Sequence, residues 1–143
     1  MSNSETRWNI EDLIPHRGGM LLLEEILRLD TEAAVSSTRV KESWPLVSEG
    51  YVSSLILIEL AAQTGGLCNG LGLAREHGKD SDKTGFLVGI KQAVFHVGTL
   101  PVGTTIVTEA RNSFNFENFR EIEGISKAGG SVVGEVTLQV MQV

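Results

Sequence analysis

The sequence predicts an α+β fold in which an antiparallel sheet wraps around one long central helix. Three observations carry that reading. The stretch from about residue 54 to 74 is apolar on nearly every helical face in its first turns, a pattern that belongs to a helix enclosed by protein. Two strand-like runs precede it and four follow, joined by short polar or glycine-containing turns. Strands grouped on either side of a single helix fit an antiparallel arrangement, not the βαβ alternation of a parallel sheet.

The elements follow in order. Asn9 is a capping residue, Glu11 and Asp12 place acids in the first turn, and Pro15 stops the chain, so one or two helical turns are expected over residues 9–14. Residues 1–8 are expected to be a flexible N-terminus and 9–143 a single domain. Leu21, Leu23, Ile26 and Leu29 recur through residues 20–29, and residues 33–40 follow across the polar Asp30-Thr31-Glu32 turn, which reads as a hairpin. Residues 41–52 have no clear period, contain Trp44, Pro45 and Gly50, and are expected to form a loop. Ser53 or Ser54 then caps the long helix. Gly65, Gly66, Gly70 and Gly72 each weaken a helix by roughly 1 kcal/mol relative to Ala, so their presence predicts close approach of a neighbouring element. Strands are expected over residues 85–97, 104–115, 119–127 and 131–143. A turn at 100–103 ends the first, and Ala128-Gly129-Gly130 joins the last two.

Composition narrows the function. A chain of 143 residues with 41% hydrophobic and 21% charged content fits one globular domain. A net charge of -6 with scattered basic residues argues against a nucleic-acid partner. Cys68 is the only cysteine, and with His16, His77 and His96 it forms no zinc spacing, so neither a disulfide nor a metal site is expected. No apolar leader opens the chain, and the apolar segment 50–74 is broken by Glu59, Gln63, Asn69 and five glycines. A buried helix, no membrane span and a cytoplasmic location are the expectation.

Glu59 is the only charged residue between Glu49 and Arg75, and it sits within Leu55-Ile56-Leu57-Ile58-Glu59-Leu60. Burying a carboxylate unpaired costs several kcal/mol or raises its pKa until it holds a proton. Glu59 is therefore the centre of the functional question. Gln63, four residues on, shares its helix face and is placed to hydrogen-bond it.

Several segments resemble the bacterial 3-hydroxyacyl-ACP dehydratases. Leu13-Ile-Pro-His16-Arg17-Gly-Gly-Met20-Leu-Leu-Leu23 resembles their "LPHR…FLLVD" opening. Ile58-Glu59-Leu60-Ala61-Ala62-Gln63 resembles their central-helix "IEAxAQ". Phe86 to Lys91, Phe95 and Pro101-Val-Gly103 resemble the strand and turn that follow. The resemblance implies a hot-dog fold, in which the sheet is the bun and the helix the sausage, with active sites between paired protomers. It implies an acyl-ACP or acyl-CoA thioester as substrate in fatty-acid or polyene biosynthesis, and no cofactor. A homodimer or higher oligomer, or a heterodimer with a homologous dehydratase, is the implied assembly. Glu59 matches the family's helix carboxylate, and backbone N–H groups at Ser54 and Leu55 stand where the thioester oxygen is bound. The family's "GHFPGxP" histidine has no counterpart: residues 42–53 contain no histidine. That pattern is closer to a divergent branch associated with aryl-polyene pathways, which shares the "PHRGxMLLL" opening.

Candidates for the missing base follow. His96 is the strand histidine that could point into the cavity. His16, between Pro15 and Arg17, reads first as a packing residue. His77 reads as solvated, and Glu49 is a lesser substitute. Three functions stay open: a dehydratase whose second group comes from elsewhere, a thioesterase using Glu59 to activate water, and a non-catalytic partner subunit. A histidine beside Glu59 favours dehydration, and an arginine pair favours a structural carboxylate.

Overall fold

The computed structural model describes residues 8–142. The flexible N-terminus expected over residues 1–8 lies outside them except for Trp8, which packs half-buried against the core. A short helix α1 (Ile10–Leu13) and a 3-10 turn (Gly18–Met20) lead into strands β1 (Glu25–Leu29), β2 (Ala33–Arg39), β3 (Val47–Ser48) and β4 (Tyr51–Ser53). The long helix α2 (Ile56–His77) follows. Then come β5 (Gly85–Phe95), β6 (Thr99–Pro101), β7 (Thr105–Phe116), β8 (Phe119–Ala128) and β9 (Ser131–Gln142).

Local chemistry explains the connections. The Asp30 side chain accepts hydrogen bonds from the Glu32 and Ala33 N–H groups at 2.7 and 2.8 Å, which closes the β1–β2 turn. Gly129 and Gly130 both adopt positive φ, 59° and 83°, as a tight turn between β8 and β9 requires. Six strands form one antiparallel sheet in the order β1-β2-β7-β8-β9-β5, and the fold is the expected α+β hot dog.

The expected loop over residues 41–52 is corrected: it contains β3 and β4, which join β6 in a separate three-stranded sheet. These strands are two and three residues long, too short to show alternation. Glu49 and Gly50, at φ 52° and 84°, form the tight reversal between them. The expected turn at 100–103 likewise begins as β6. α2 starts two residues after Ser54 and runs to His77, beyond the expected end, where Gly78 at φ 98° stops it.

α2 packs across one face of the sheet, against β2, β7, β8 and β9. Ile56, Leu57, Leu60, Leu67 and Leu71 are fully buried beneath it, each contributing about 1.5–3 kcal/mol by transfer from water. Polar groups under the helix pair with one another: Ser36 with Thr64 at 2.8 Å, and Thr108 with Ser126 at 2.9 Å. Close approach holds at three of the four helix glycines. A Cβ at Gly70 would overlap the Leu13 carbonyl, one at Gly65 would meet Ile122, and one at Gly66 would touch Ile14, whereas Gly72 faces open space.

The sheet does not cover the whole helix. Ile58, Glu59, Ala62, Gly66, Asn69 and Leu73 form a half-exposed stripe down one side. Beside it, edge strand β5 exposes Phe86, Leu87, Val88, Ile90 and Val94. Gly70→Ala is expected to cost about 1–3 kcal/mol by overpacking against α1, whereas Gly72→Ala is expected to be neutral or to stabilise by roughly 0.5–1 kcal/mol. Urea denaturation of the two variants checks the contrast.

Candidate active site around Glu59

Glu59 occupies the first turn of α2, where the positive end of the helix dipole favours an anion. Its half-buried side chain stands between two cavities. One, of about 210 Å³, is walled by Ile14, His16, Ala62 and Val140 and, on its outer side, by Phe86 and Leu87 of edge strand β5. The other, of about 380 Å³, is almost wholly apolar and is walled by Met20, Leu22, Pro45, Leu46, Leu55 and Ile58.

Gln63 is completely buried one turn along the helix. Its Nε2 donates to Glu59 Oε2 and to the Met20 carbonyl, both at 2.8 Å, and its Oε1 accepts the Leu22 N–H at 3.0 Å. Two acceptors on one side and a donor on the other fix the amide orientation. His16 Nε2 lies 3.4 Å from Glu59 Oε2, a longer approach than that of Gln63. Burial alone would raise the Glu59 pKa, but the His16 imidazole 3.4 Å away and the Gln63 hydrogen bond outweigh it. The carboxyl is held below its ordinary value.

Arg17 explains why His16 reaches the helix. Its guanidinium donates to the carbonyls of Glu11 at 2.8 Å, Ile14 at 2.8 Å and His16 at 2.7 Å, which gathers the backbone between α1 and the 3-10 turn. The His16 Nδ1 atom is buried and has no hydrogen-bond partner among the described residues. His16, expected first as a packing residue, is the histidine that the fold brings to the carboxylate. The signal was its place in the Pro15-His16-Arg17 motif, but the contact depends on a helix face some forty residues away.

The other candidates fall elsewhere. His96 lies just beyond β5, exposed, with Nε2 3.0 Å from Glu135, and it lines neither cavity that Glu59 lines. The expectation that His96 serves the Glu59 site is corrected: the edge strand carries it away from the helix. Ser54 and Leu55 both use their N–H groups within the chain, Ser54 to the Gly98 carbonyl at 3.0 Å and Leu55 to Ser53 Oγ at 3.2 Å. Their role as ready donors to a thioester is corrected for this conformation, although the Leu55 side chain walls the apolar cavity. Glu49 is exposed in the β3–β4 turn, and His77 contacts Glu76 at 3.7 Å. Cys68 is buried, and burial together with the Asp30 charge pushes its thiol up to about 12, so it is no nucleophile. Among the described residues, no helix is long and apolar enough to cross a membrane.

Comparison with known proteins settles the lineage. A family model described as ApeP-like, ApeP dehydratase, matches residues 8–143. The chain belongs to the ApeP-like dehydratase family. The 3-hydroxyacyl-[acyl-carrier-protein] dehydratase FabZ of Xanthomonas oryzae is 27% identical over 136 residues, covering 90% of this chain and 86% of the relative. FabZ of Xanthomonas campestris is 28% identical over 131 residues, covering 87% and 83%. Among solved structures, the dehydratase heterocomplex ApeI:P from Xenorhabdus doucetiae aligns with a TM-score of 0.86 at 21% identity, over 96% of this chain and 93% of that one. A hypothetical thioesterase from Streptococcus pneumoniae with coenzyme A aligns with a TM-score of 0.62 at 15% identity, over 83% and 84%. These structural likenesses establish the hot-dog fold. The family and the FabZ relatives make the chain a 3-hydroxyacyl-ACP dehydratase-like protein, one without the usual loop histidine.

Gln63→Leu is expected to orphan the Leu22 N–H and the Met20 carbonyl, at about 1–3 kcal/mol for each. The pH dependence has a definite sign. A carboxyl easier to ionise in the folded state than in the unfolded state contributes stability above its ordinary value of 4.5, and that stability is lost as pH falls through the folded value. Urea denaturation from neutral pH down through the carboxylate range is expected to show a smaller acid-side loss in Glu59→Gln than in the wild type.

Proposed function

We propose that this chain supplies the carboxylate half of a 3-hydroxyacyl-thioester dehydratase site and that a homologous dehydratase subunit supplies the histidine half. The observation that carries the proposal is the position of Glu59. Its cavity is closed on one side by the edge strand β5, which pairs with β9 on its inner side only, so a subunit docking on the outer edge would place its own loop against the carboxylate. Residues 42–53 of this chain offer no histidine to return the favour.

Dehydration removes a proton from Cα and expels hydroxide from Cβ, so it needs a base, an acid and stabilisation of the thioester oxygen. Glu59 serves as the proton-transferring carboxylate, with Gln63 and His16 orienting it. The apolar cavity on the other side of Glu59 suits the arm or acyl chain of a thioester. An acyl group on acyl carrier protein is the substrate that the FabZ names favour, in fatty-acid or polyene biosynthesis in the cytoplasm.

Assembly follows from surface chemistry. Phe86, Leu87, Val88, Ile90 and Val94 are exposed on an edge strand, where apolar side chains and unpaired backbone invite strand pairing. The fold neighbour that is itself a dehydratase heterocomplex supports a hetero-assembly. The partner is then a second hot-dog chain, not nucleic acid or membrane. A thioesterase reading is matched in fold alone, and a histidine rather than an arginine beside Glu59 favours dehydration.

Co-expression with a homologous dehydratase that retains the loop histidine provides the test. The complex is expected to dehydrate 3-hydroxyacyl-ACP, and Glu59→Gln in this chain is expected to lower kcat by roughly 10²–10⁴-fold while the complex persists. Ile90→Arg on β5 is expected to abolish association in analytical ultracentrifugation. A Glu59→Gln complex with wild-type turnover would exclude the proposal.

A further inference from the structure

The cavity beside Glu59 has a direction. Ala62, Gly66 and Asn69 follow Glu59 at spacings of three, four and three residues, so they share one face of α2. All four line the same cavity of about 210 Å³, with Ile14 and Val140 among its apolar walls. Ala62 and Gly66 offer only a methyl group and bare backbone, which leaves room along the helix. Asn69 stands about 15 Å from Glu59 by helical rise. There the wall turns polar. Asn69 and Gln142 line this cavity and also a second one of about 240 Å³, walled further by Asn112, Asn115, Arg120 and Glu76.

The side chains at the far end are held in place. Asn112 Nδ2 donates to Asn69 Oδ1 at 3.1 Å and to the Thr31 carbonyl at 3.2 Å, which ties the Asn69 side chain toward β7. Lys83, also on the cavity wall, bonds its ammonium to the Lys79 and Ser81 carbonyls at 2.6 and 2.9 Å. Asn112 Oδ1 is buried with no hydrogen-bond partner among the described residues, and a buried acceptor of this kind calls for water. The second recess therefore suits water, not an apolar end wall. On the other side of Glu59, Met20, Leu46 and Leu55 are 65%, 53% and 53% exposed, so the apolar cavity opens at the surface.

We propose that the acyl chain of the substrate runs along α2 over Ala62 and Gly66, and that Asn69 is a specificity-determining residue. It marks where the apolar passage gives way to the hydrated recess, so a longer chain emerges there instead of meeting a wall. The placing of the thioester at Glu59 rests on the dehydratase reading. The surface cavity is then the mouth for the carrier arm. Each methylene added between Glu59 and Asn69 leaves water for apolar surroundings and strengthens binding up to roughly fourfold. A methylene beyond Asn69 adds nothing, because its surroundings are polar. Affinity climbs with chain length and then levels off, whereas a blind pocket would reject longer chains by overpacking.

The test uses this chain assembled with a homologous dehydratase that retains the loop histidine. Two length series are measured: kcat/KM for 3-hydroxyacyl-ACP, and calorimetric Kd for unreactive S-alkyl pantetheine thioethers. The wild type is expected to rise and then level off in both. Asn69→Phe, which fills the collar from a half-exposed position, is expected to lower the long-to-short ratio roughly 10- to 100-fold. Ala62→Leu, two turns nearer Glu59, is expected to place the cut-off at shorter chains. A wild-type curve that falls at long lengths or ignores length overturns the passage, as does a long-to-short ratio unchanged in both variants. Absence of turnover at every length, with the thioether curve intact, defeats the dehydratase reading and leaves the passage standing.

Discussion

One buried amide fixes the geometry on which the site depends. Gln63 is held by three hydrogen bonds, two to the backbone at Met20 and Leu22 and one to Glu59. The backbone bonds dock the segment after α1 onto the helix, and the third stops the Glu59 side chain from rotating. Without Gln63, burial would leave two backbone groups unsatisfied and free an acid inside an apolar helix turn, each at a cost comparable to a sizeable part of a domain's net stability. The same docking carries His16 to the carboxylate, and the Arg17 bonds to three carbonyls tie that loop together. The "PHRG" opening is thus one device: Pro15 ends the short helix, Arg17 gathers the backbone and His16 faces α2.

A single chain leaves this device half open. Among the described residues the stripe from Ile58 to Leu73 lacks full cover, and the strand beside it exposes apolar side chains along an outer edge without a hydrogen-bonding neighbour. Soluble domains rarely leave such an edge unprotected by charge, proline or a covering element. Here the uncovered stripe and the uncovered strand meet at the cavity that holds Glu59. Burial there would both stabilise an assembly and exclude water from the carboxylate, which strengthens its hydrogen bonds. Folding energetics and chemistry therefore place the same demand on the same surface.

Much of the fold was legible because its signals were local. The all-round apolar helix, the Asp30 turn and the Gly129-Gly130 reversal each announce themselves within a few residues. Close approach at Gly65, Gly66 and Gly70 was equally readable, since a helix accepts that many glycines only for packing. The second sheet was not readable, because β3, β4 and β6 are too short for periodicity and β4 finds β6 only across the whole length of α2. The site divided in the same way. A lone Glu59 and a Gln63 on its face stand out from spacing alone. That His16 would reach the carboxylate while His96 turned to Glu135 depends on contacts between distant segments. That the Ser54 and Leu55 N–H groups would already be engaged depends on the Gly98 carbonyl and the Ser53 hydroxyl, which no motif encodes.

The central claim is that β5 and the open side of α2 are completed by a homologous subunit that closes over Glu59. Amide hydrogen exchange of this chain, alone and with a homologous dehydratase added, tests it most directly. The account predicts strong protection of the β5 amides around residues 88–94 on addition of the partner, together with slower exchange in the first turns of α2. Unchanged exchange at β5, or protection confined to the opposite edge at β1, would contradict it.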